Sequence, residues 1–377
     1  MRSKNEFIPV YEPYLEGNEE RYLKECIKTG WISSKGKFVD LFENSFANYI
    51  GSPYALSTSN GTVALHLALV TIGINKGDEV IVPDLTFAAS VNSILYTKAT
   101  PVLVDCDLNT LNIDLNKIEE KITSKTKAIM LVHLYGLPSF VDEIQKIADK
   151  YNLIIIEDAA EAFGSEYKNK KVGSFSRVAC FSFFGNKTIT TGEGGMITFK
   201  NEEDYKKAKI LRDHGMNPEK IYWHDYIGYN YRMTNLQAAI GYGQMEKANE
   251  IVKKKIKNAN LYKKFLQNIP GIKFVKDYKN VKNTFWLVTI LIDKNKFGAS
   301  RDQINEYLRK NKIDSRPVFY PIHQMPPYKE FNIDNYPNSI YASENGLSLP
   351  SSSSLSKEKI KYISTCLIDF YNKINNI

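Results

Sequence analysis

Between about residues 60 and 200, short apolar runs alternate with longer segments of helical pattern, and this alternation constrains the fold most strongly. The pattern predicts strands at residues 80–83, 101–104, 128–132 and 153–156. It predicts helices at residues 62–72, 87–96 and 140–151. Strands that are apolar along their whole length are covered on both faces, and strands that alternate with helices pair in parallel. The sequence therefore predicts an α/β fold built on a mostly parallel sheet.

The pattern changes after about residue 250. A long helix starts near Thr234, continues through the lysine-rich residues 252–264 and ends at residues 268–271. The later elements predicted are a strand at residues 284–292 and helices at residues 301–310 and 356–372. These features predict a large domain over residues 1–250 and a smaller α+β domain over residues 251–377. Helices near residues 18–28 and 38–49 are expected to pack on the smaller domain or to span the two.

Composition disfavours several classes of protein. The 377 residues carry a net charge of +8, 43% hydrophobic residues and dispersed lysines, which favours a globular protein with an anionic substrate over a nucleic-acid binder. No apolar run approaches the roughly 18–20 residues that cross a bilayer, and the N-terminus lacks the apolar core of a signal peptide. The four cysteines form no C-x-x-C pair, and the five histidines show no zinc-binding spacing. We expect a cytoplasmic protein with reduced thiols and no metal.

Lys187 lies within residues 179–195, a segment rich in small, hydroxylated and flexible residues. Strands predicted at residues 178–184 and 196–199 flank it. A solvated surface lysine needs no such neighbours, whereas a lysine that attacks a carbonyl carbon must lose its proton through desolvation or nearby cations. Lys187 is therefore a candidate for covalent chemistry, with surface solvation as the alternative in a chain this rich in lysine.

Residues 57–62, Ser-Thr-Ser-Asn-Gly-Thr, precede a helix predicted from Val63. Small residues there leave backbone N–H groups free, and the positive end of the helix favours a phosphate. Plain helix capping by Thr58 or Ser59 explains the same residues. Residues 60–62 also match the N-glycosylation pattern, which only a secreted chain presents to the glycosylation machinery.

Asp158 ends an apolar strand, at the edge where a doubly wound sheet binds its ligands. A carboxylate there can hold a proton on a heterocyclic nitrogen, although an N-cap for the next turn is the common alternative. A phosphate cradle, a carboxylate at a strand end and a lysine on a following loop are the parts that hold pyridoxal phosphate. A nicotinamide site is disfavoured because residues 192–195, Gly-Glu-Gly-Gly, do not form G-x-G-x-x-G, and the phosphate-loop sequence of ATPases does not occur.

Six segments of the chain, taken together, resemble the sugar aminotransferases of the DegT/DnrJ/EryC1/StrS family. They are residues 30–36, 59–62, 157–161, 182–195, 228–235 and 316–323. The resemblance implies a fold-type I aminotransferase that binds pyridoxal 5'-phosphate. Related 3-dehydratases carry His in place of the reactive lysine, so Lys187 argues for amino transfer.

The resemblance also implies roles for individual residues. Lys187 is implied to form the Schiff base with the cofactor, Asp158 to contact the pyridine nitrogen and Phe87 to stack against the ring. Further cofactor contacts are implied for Ser59, Asn60, Gly61, Thr62, Glu161, Ser182 and Asn186, with Gly61, Thr62 and Ser182 on the phosphate. Asn230 is implied to reach the phosphate of the neighbouring subunit, so a homodimer with shared sites is expected. The candidate substrate contacts are Arg232 and, with packing as the alternative, Trp31, Tyr320 and His323.

The activity that the resemblance implies is amino transfer from L-glutamate to the keto carbon of a nucleotide-linked sugar. The freed Lys187 amine would serve as base and acid in the proton shift. The segments around Trp31 and Lys187 are most similar to members that act on C4 of GDP-4-keto-6-deoxy-D-mannose. Action at C3 or C4 of a UDP- or dTDP-linked keto-sugar, and a non-catalytic cofactor-binding relative, stay as alternatives.

Overall fold

The structure, a computed structural model, describes residues 7–377. Its strands are β1 (Tyr54–Thr58), β2 (Glu79–Pro83), β3 (Thr100–Val104), β4 (Thr126–Val132), β5 (Ile154–Asp158), β6 (Glu166–Tyr167), β7 (Lys170–Lys171), β8 (Val178–Ser182), β9 (Gly195–Phe199), β10 (Ile272–Phe274), β11 (Val281–Lys282), β12 (Val288–Ile292), β13 (Arg316–Pro317) and β14 (Gly346–Leu349). Its helices are α1 (Glu19–Thr29), α2 (Lys37–Ile50), α3 (Gly61–Thr71), α4 (Ala88–Tyr96), α5 (Val141–Tyr151), α6 (Glu202–Arg212), α7 (Asn235–Leu266), α8 (Lys294–Phe297), α9 (Arg301–Lys310), α10 (Pro337–Asn345) and α11 (Lys357–Asn375). Among residues 7–377, none of these helices combines the length and hydrophobicity that a membrane span requires.

Within the described part of the chain, seven strands form the large sheet, in the order β1–β9–β8–β5–β4–β2–β3. They run in one direction except β9, which is antiparallel to its neighbours β1 and β8. The predicted α/β class with a mostly parallel sheet is confirmed. Because β4, β5 and β8 are parallel neighbours, their carboxyl ends meet at one edge of the sheet, which brings Val132, Asp158 and Ser182 close together.

Alternate residues of the central strands face different cores. Ile156 of β5 packs in one core with Leu65 of α3, whereas the preceding Ile155 packs with Ile144 of α5. Another core joins α2 and α7 to Phe181 of β8. The large sheet is therefore buried on both faces, which explains why its strands are apolar along their length.

The smaller sheet has the order β10–β12–β14–β13, with each pair antiparallel. The long helix α7 contributes to two cores, because Val252 packs with residues of the large sheet and Tyr262 packs with residues of the smaller sheet. The division of the chain between residues 250 and 251 stays a prediction.

Within residues 7–377, local sequence patterns misplace one strand, β12, and do not predict seven others, which are β1, β6, β7, β10, β11, β13 and β14. The strand predicted at residues 284–292 begins only at Val288, because Phe285 has a left-handed φ of 52° that interrupts extended pairing. Strand β1 has no clear alternation in the sequence, and its pairing with β9 is a contact between distant segments.

Residues 7–14, here named the N-terminal strap, connect the smaller sheet region to the loop that carries Lys187. Ile8 forms a parallel bridge with Ile313, next to α9. The Tyr11 hydroxyl donates a hydrogen bond to the backbone carbonyl of Lys187. The strap therefore holds the lysine loop from outside the large sheet.

A buried network supports the end of β5. Glu157 is fully buried, and its carboxylate accepts the N–H groups of Gly173 (2.7 Å) and Ser176 (3.0 Å). His133 Nε2 lies 3.1 Å from the same carboxylate. Burial alone would raise the pKa of Glu157, but the hydrogen bonds outweigh it and hold the pKa below its usual value. The ionised carboxylate thus fixes the segments next to Asp158.

We predict that Glu157→Leu lowers the free energy of unfolding by about 3–5 kcal/mol, because buried N–H groups and His133 lose their acceptor. Urea unfolding followed by circular dichroism measures the loss. The control is Glu203→Leu, at an exposed position on α6, which should change the free energy of unfolding by no more than about 0.5 kcal/mol. Equal stability of the two variants would contradict the role given to Glu157.

Candidate active site

A cavity of about 590 Å³, here named the first cavity, lies at the carboxyl edge of the large sheet. The start of α3, the ends of β4, β5 and β8, and the loop after β8 line it. Trp286 and Phe319, from beyond α7, close another side. The cavity therefore lies where ligands bind in sheets of this kind.

The amine of Lys187 is largely desolvated in this cavity. Only 13% of its side chain is exposed, and its nitrogen lies 3.8 Å from the centre of the Trp286 ring and 3.5 Å from Glu161 Oε1. Burial lowers the pKa of Lys187 below its usual value, while the carboxyl groups of Glu161 and Asp158 oppose this shift. A lysine with a lowered pKa has more of the neutral, nucleophilic amine at neutral pH.

Glu161 faces this amine, and burial disfavours the ionisation of its carboxyl group. Its Oε2 accepts the N–H of Tyr135 at 2.9 Å, and Tyr135 has a left-handed φ of 54°, uncommon for a residue other than glycine. Burial raises the pKa of Glu161 to about 7, although the positive charge of Lys187 lowers it in part. The two side chains can therefore share a proton near neutral pH.

Asp158 lines the cavity at the end of β5, and two donors hold its carboxyl group. The Ser90 hydroxyl donates to Oδ2 at 2.7 Å, and the N–H of Ala160 donates to Oδ1 at 3.1 Å. Thr86 Oγ1 lies 2.9 Å from the Ser90 hydroxyl and extends the chain of hydrogen bonds. Burial raises the pKa of Asp158, and the bonds from Ser90 and Ala160 lower it in part. This carboxyl group is placed to pair with a protonated ring nitrogen of a ligand.

The N-terminus of α3 is suited to a phosphate. The helix begins at Gly61, and Asn60 caps it by accepting a backbone N–H at 3.0 Å, so the cap is Asn60 rather than Thr58 or Ser59. A Cβ at Gly61 would lie 2.8 Å from the Cβ of Ser182, so glycine is needed where α3 approaches β8. The first N–H groups of a helix have no partner within it and attract an anion.

The residues of the first cavity fit pyridoxal phosphate. They supply an amine (Lys187), a carboxyl group (Asp158) and a helix N-terminus. Two polar atoms beside the lysine, Asn186 Oδ1 and Thr188 Oγ1, are buried and have no hydrogen-bond partner within residues 7–377. Because Asn186 lines the cavity, a ligand with polar groups would give it a partner.

A second cavity, of about 840 Å³, adjoins the first. The residues that line both are Thr86, Phe87, Asn186, Trp286 and Phe319. Tyr135 stacks between two of them, with ring centres 6.0 Å from Trp286 and 5.4 Å from Phe319. Arg316, 3.0 Å from Asp314, contributes a cation to the second cavity. A ligand in the second cavity can therefore extend into the first cavity along the aromatic side chains that line both cavities.

The structure brings together most of the residues that the sequence singles out. Those that line the first cavity are Asn60, Gly61, Thr62, Phe87, Asp158, Glu161, Ser182, Asn186 and Lys187. Tyr320 lines the second cavity. The contacts of these residues with cofactor and substrate stay predictions.

The predicted residues that line neither of these two cavities are Trp31, Ser59, Asn230, Arg232 and His323. His323 is buried, and its Nδ1 lies 2.8 Å from Asp84. Arg232 forms an ion pair with Asp213. Both side chains therefore have polar partners within their own chain, and their contacts with substrate stay predictions.

Four residues that shape the site were not predicted: Tyr11, Ser90, Tyr135 and Trp286. Ser90 stands in the first turn of α4, and its polarity on a buried face is the one local signal for its bond to Asp158. Trp286 and Tyr11 come from segments far from Lys187 in the sequence. No spacing rule connects them with it.

We predict that the cofactor-free wild-type protein loses stability relative to Glu161→Gln as the pH rises from about 5 through 7. The folded pKa of Glu161 lies above its unfolded value of 4.5, so its contribution is complete below pH 4.5 and is lost as the pH passes about 7. The loss should be on the order of 3 kcal/mol.

Urea unfolding of both proteins between pH 5 and pH 8.5, in the range where Glu161 titrates, measures this difference. The control is Glu193→Gln, which changes an exposed carboxylate of the same cavity and should keep the pH dependence of the wild type. Parallel stability curves for wild type and Glu161→Gln would show that Glu161 does not titrate in this range.

Comparison with known proteins shows the family of this chain. Residues 13–368 match the DegT/DnrJ/EryC1/StrS aminotransferase family. The chain is 48% identical to a GDP-perosamine synthase of Escherichia coli O157:H7, over 97% of this chain and 99% of that protein. It is 43% identical to a GDP-perosamine synthase of Vibrio cholerae, over 97% of this chain and 100% of that protein.

Solved structures have the same fold. The fold matches that of Helicobacter pylori PseC, an aminotransferase involved in the biosynthesis of pseudoaminic acid, with a TM-score of 0.93 at 28% identity. That match covers 98% of this chain and 100% of PseC. The chain belongs to the DegT/DnrJ/EryC1/StrS aminotransferase family, and it is a sugar aminotransferase that uses pyridoxal phosphate.

Proposed function

We propose that this protein transfers the amino group of L-glutamate to C4 of GDP-4-keto-6-deoxy-D-mannose, which yields 2-oxoglutarate and GDP-perosamine. The observation that carries the proposal is the desolvated Lys187 amine between Trp286 and Glu161, beside a cavity large enough for a nucleotide sugar. Sequence identity of 43–48% to GDP-perosamine synthases supports this substrate.

Bound pyridoxal phosphate would supply the electron sink for the proton transfers, and it would carry the amino group between the two half-reactions. In the first half, Lys187 Nζ takes a proton from Cα of glutamate and would pass it to the cofactor, and in the second half it would take a proton back from the cofactor and give it to C4 of the sugar. Glu161, 3.5 Å from this nitrogen, pairs with the amine each time the amine is protonated. Trp286 covers the amine and excludes water, which keeps the amine reactive. Asp158 would hold the ring nitrogen of the cofactor.

The second cavity is the proposed place of the nucleotide sugar. Phe87 and Phe319, on the wall shared with the first cavity, offer apolar surface to the deoxysugar. The guanidinium of Arg316 offers the charge and geometry that a diphosphate requires. Tyr320, which is exposed on the same cavity, is the proposed contact of the sugar or the nucleotide.

We further propose that the protein acts as a homodimer with shared sites. Residues 221–227 form an exposed segment with large apolar side chains, since Ile221, Tyr222 and Ile227 have 78%, 85% and 94% of their surface exposed. Such a surface is typical of a protein–protein contact. Asn230 follows this segment, is exposed and lines neither cavity of its own chain, which fits a contact with the cofactor of the neighbouring subunit.

A cytoplasmic location is part of the same proposal. The chain's four cysteines, Cys26, Cys106, Cys180 and Cys366, are all buried free thiols. Free thiols are typical of proteins from a reducing compartment.

We predict that, among GDP-, UDP- and dTDP-linked 4-keto-6-deoxy sugars, the GDP-linked sugar is aminated with the highest kcat/KM, by about tenfold or more over the others. NMR of the product should place the new amine on C4. In Lys187→Ala, turnover should fall by a factor of at least about 10² because the base is lost. The control Lys200→Ala, at an exposed position, should keep wild-type turnover. Preferred amination of a UDP- or dTDP-linked sugar, or amination at C3, would contradict the proposed substrate.

We also predict that mixing two inactive variants, Lys187→Ala and Asn230→Ala, restores part of the activity. A mixed dimer would contain one site with both an intact lysine and an intact asparagine from the other subunit, and random exchange would make about half of the dimers mixed. Native mass spectrometry verifies the exchange, and turnover measures recovery. No recovery after verified exchange would count against the cross-subunit role of Asn230.

A further inference from the structure

Lys255 is a buried lysine that the proposed reaction does not use. It lies on α7 with 1% of its surface exposed. Its nitrogen donates to the backbone carbonyls of Ser351 (2.8 Å) and Trp286 (3.2 Å). Within residues 7–377, no carboxylate lies within ion-pair distance of this nitrogen, and its third neighbour is the Tyr11 ring, with its centre 5.3 Å away.

A buried lysine without an anion is costly, and an apolar side chain of similar length would fill the same space at lower cost. Packing alone therefore does not explain why a lysine stands at position 255. Both of its aromatic neighbours hold the lysine loop. The Trp286 indole N–H donates to the carbonyl of Asn186 at 2.7 Å, and the Tyr11 hydroxyl donates to the carbonyl of Lys187.

Trp286 also meets the reactive amine directly, since the Lys187 nitrogen lies 3.8 Å from its ring centre. A residue that fixes the backbone of Trp286 therefore sets the distance between this ring and the amine. Phe285, next to Trp286, has a left-handed backbone and does not pair as a strand, so sheet hydrogen bonds do not hold this segment in place. Side-chain groups bond its backbone instead: Asn283 Oδ1 accepts the N–H of Phe285 at 2.7 Å, and Lys255 donates to the carbonyl of Trp286.

We propose that Lys255 is a positioning residue for Lys187. By bonding the carbonyls of Trp286 and Ser351, it joins the segment before β12 to the segment after β14 and keeps the Trp286 ring against the reactive amine. The effect on turnover rests on the proposed function, whereas the effect on Trp286 does not.

The charge of Lys255 is not required for the two bonds. Burial lowers the pKa of Lys255 to about 7, and the neutral amine still has two N–H groups for two carbonyls. The titratable groups around it are Tyr11 on the strap and, one residue along α7, Lys254, which bonds Tyr14 and Glu250. A neutral side chain with two N–H donors is therefore expected to replace Lys255 in part.

Trp286 fluorescence tests the proposal in the cofactor-free full chain. Trp31 and Trp223 are exposed and are replaced by Phe, so that Trp286 alone emits. In this background, Lys255→Met should shift the emission to longer wavelength and increase quenching by acrylamide, because the indole loses its fixed position. Lys255→Gln, whose amide has two N–H donors, should stay nearer the unsubstituted spectrum. The control Lys253→Met, at an exposed position on α7, should leave the spectrum unchanged.

The holoenzyme with its tryptophans intact gives the second measurement. Lys255→Met should lower kcat by about tenfold or more with little change in KM for glutamate, because a small misplacement of reacting groups slows the chemical step.

An unchanged Trp286 spectrum in Lys255→Met, or a Lys255→Gln spectrum no nearer to wild type than that of Lys255→Met, would overturn the proposal. If Lys255→Met does not fold, the Lys255→Gln spectrum decides alone: a wild-type spectrum supports the proposal, and a shifted one overturns it. Failure of the wild type to aminate the GDP-linked sugar would contradict the proposed function, but the fluorescence measurements would still test the role of Lys255.

Discussion

The contact between the Lys187 amine and the face of the Trp286 ring is the interaction on which the rest of the site depends. It removes water from one side of the amine, and burial of the whole side chain lowers its pKa. Each unit by which the pKa falls increases the fraction of neutral amine about tenfold at a pH well below the pKa. A lysine on the same loop without this cover would stay protonated and unreactive.

Burial also limits how far the nearby carboxyl groups raise the pKa of Lys187. An ionised carboxylate 3.5 Å away would stabilise the protonated lysine, yet burial raises the pKa of Glu161 to about 7. Near neutral pH the Glu161 carboxyl group can thus be ionised or neutral beside the amine, which suits an amine that must take up and return a proton. The fixed N–H of Tyr135 keeps the carboxyl group in place in either state.

The sequence predicts the parts of the site that follow strands, and does not predict the parts that other segments bring to them. Asp158 could be placed because an apolar strand ends there and parallel strands share an edge, whereas Ser182 was implied by the family resemblance. Trp286 could not be placed, because its position depends on the irregular backbone before β12 and on contacts with distant residues. His323 is the opposite case. It belongs to a segment that resembles the family, yet its side chain contacts Asp84 inside the fold. The longer helices and six of the seven described strands of the large sheet follow from local periodicity, whereas the position of the smaller sheet depends on long-range packing along α7.

The identity of the lysine that binds the cofactor tests the account most directly. The protein loaded with pyridoxal phosphate is reduced with borohydride, digested and mapped by peptide mass spectrometry. The account predicts the pyridoxyl group on Lys187 alone, because that amine is both desolvated and open to the first cavity. A pyridoxyl group on Lys255, which is also buried with a lowered pKa, or a label spread over surface lysines, would contradict it.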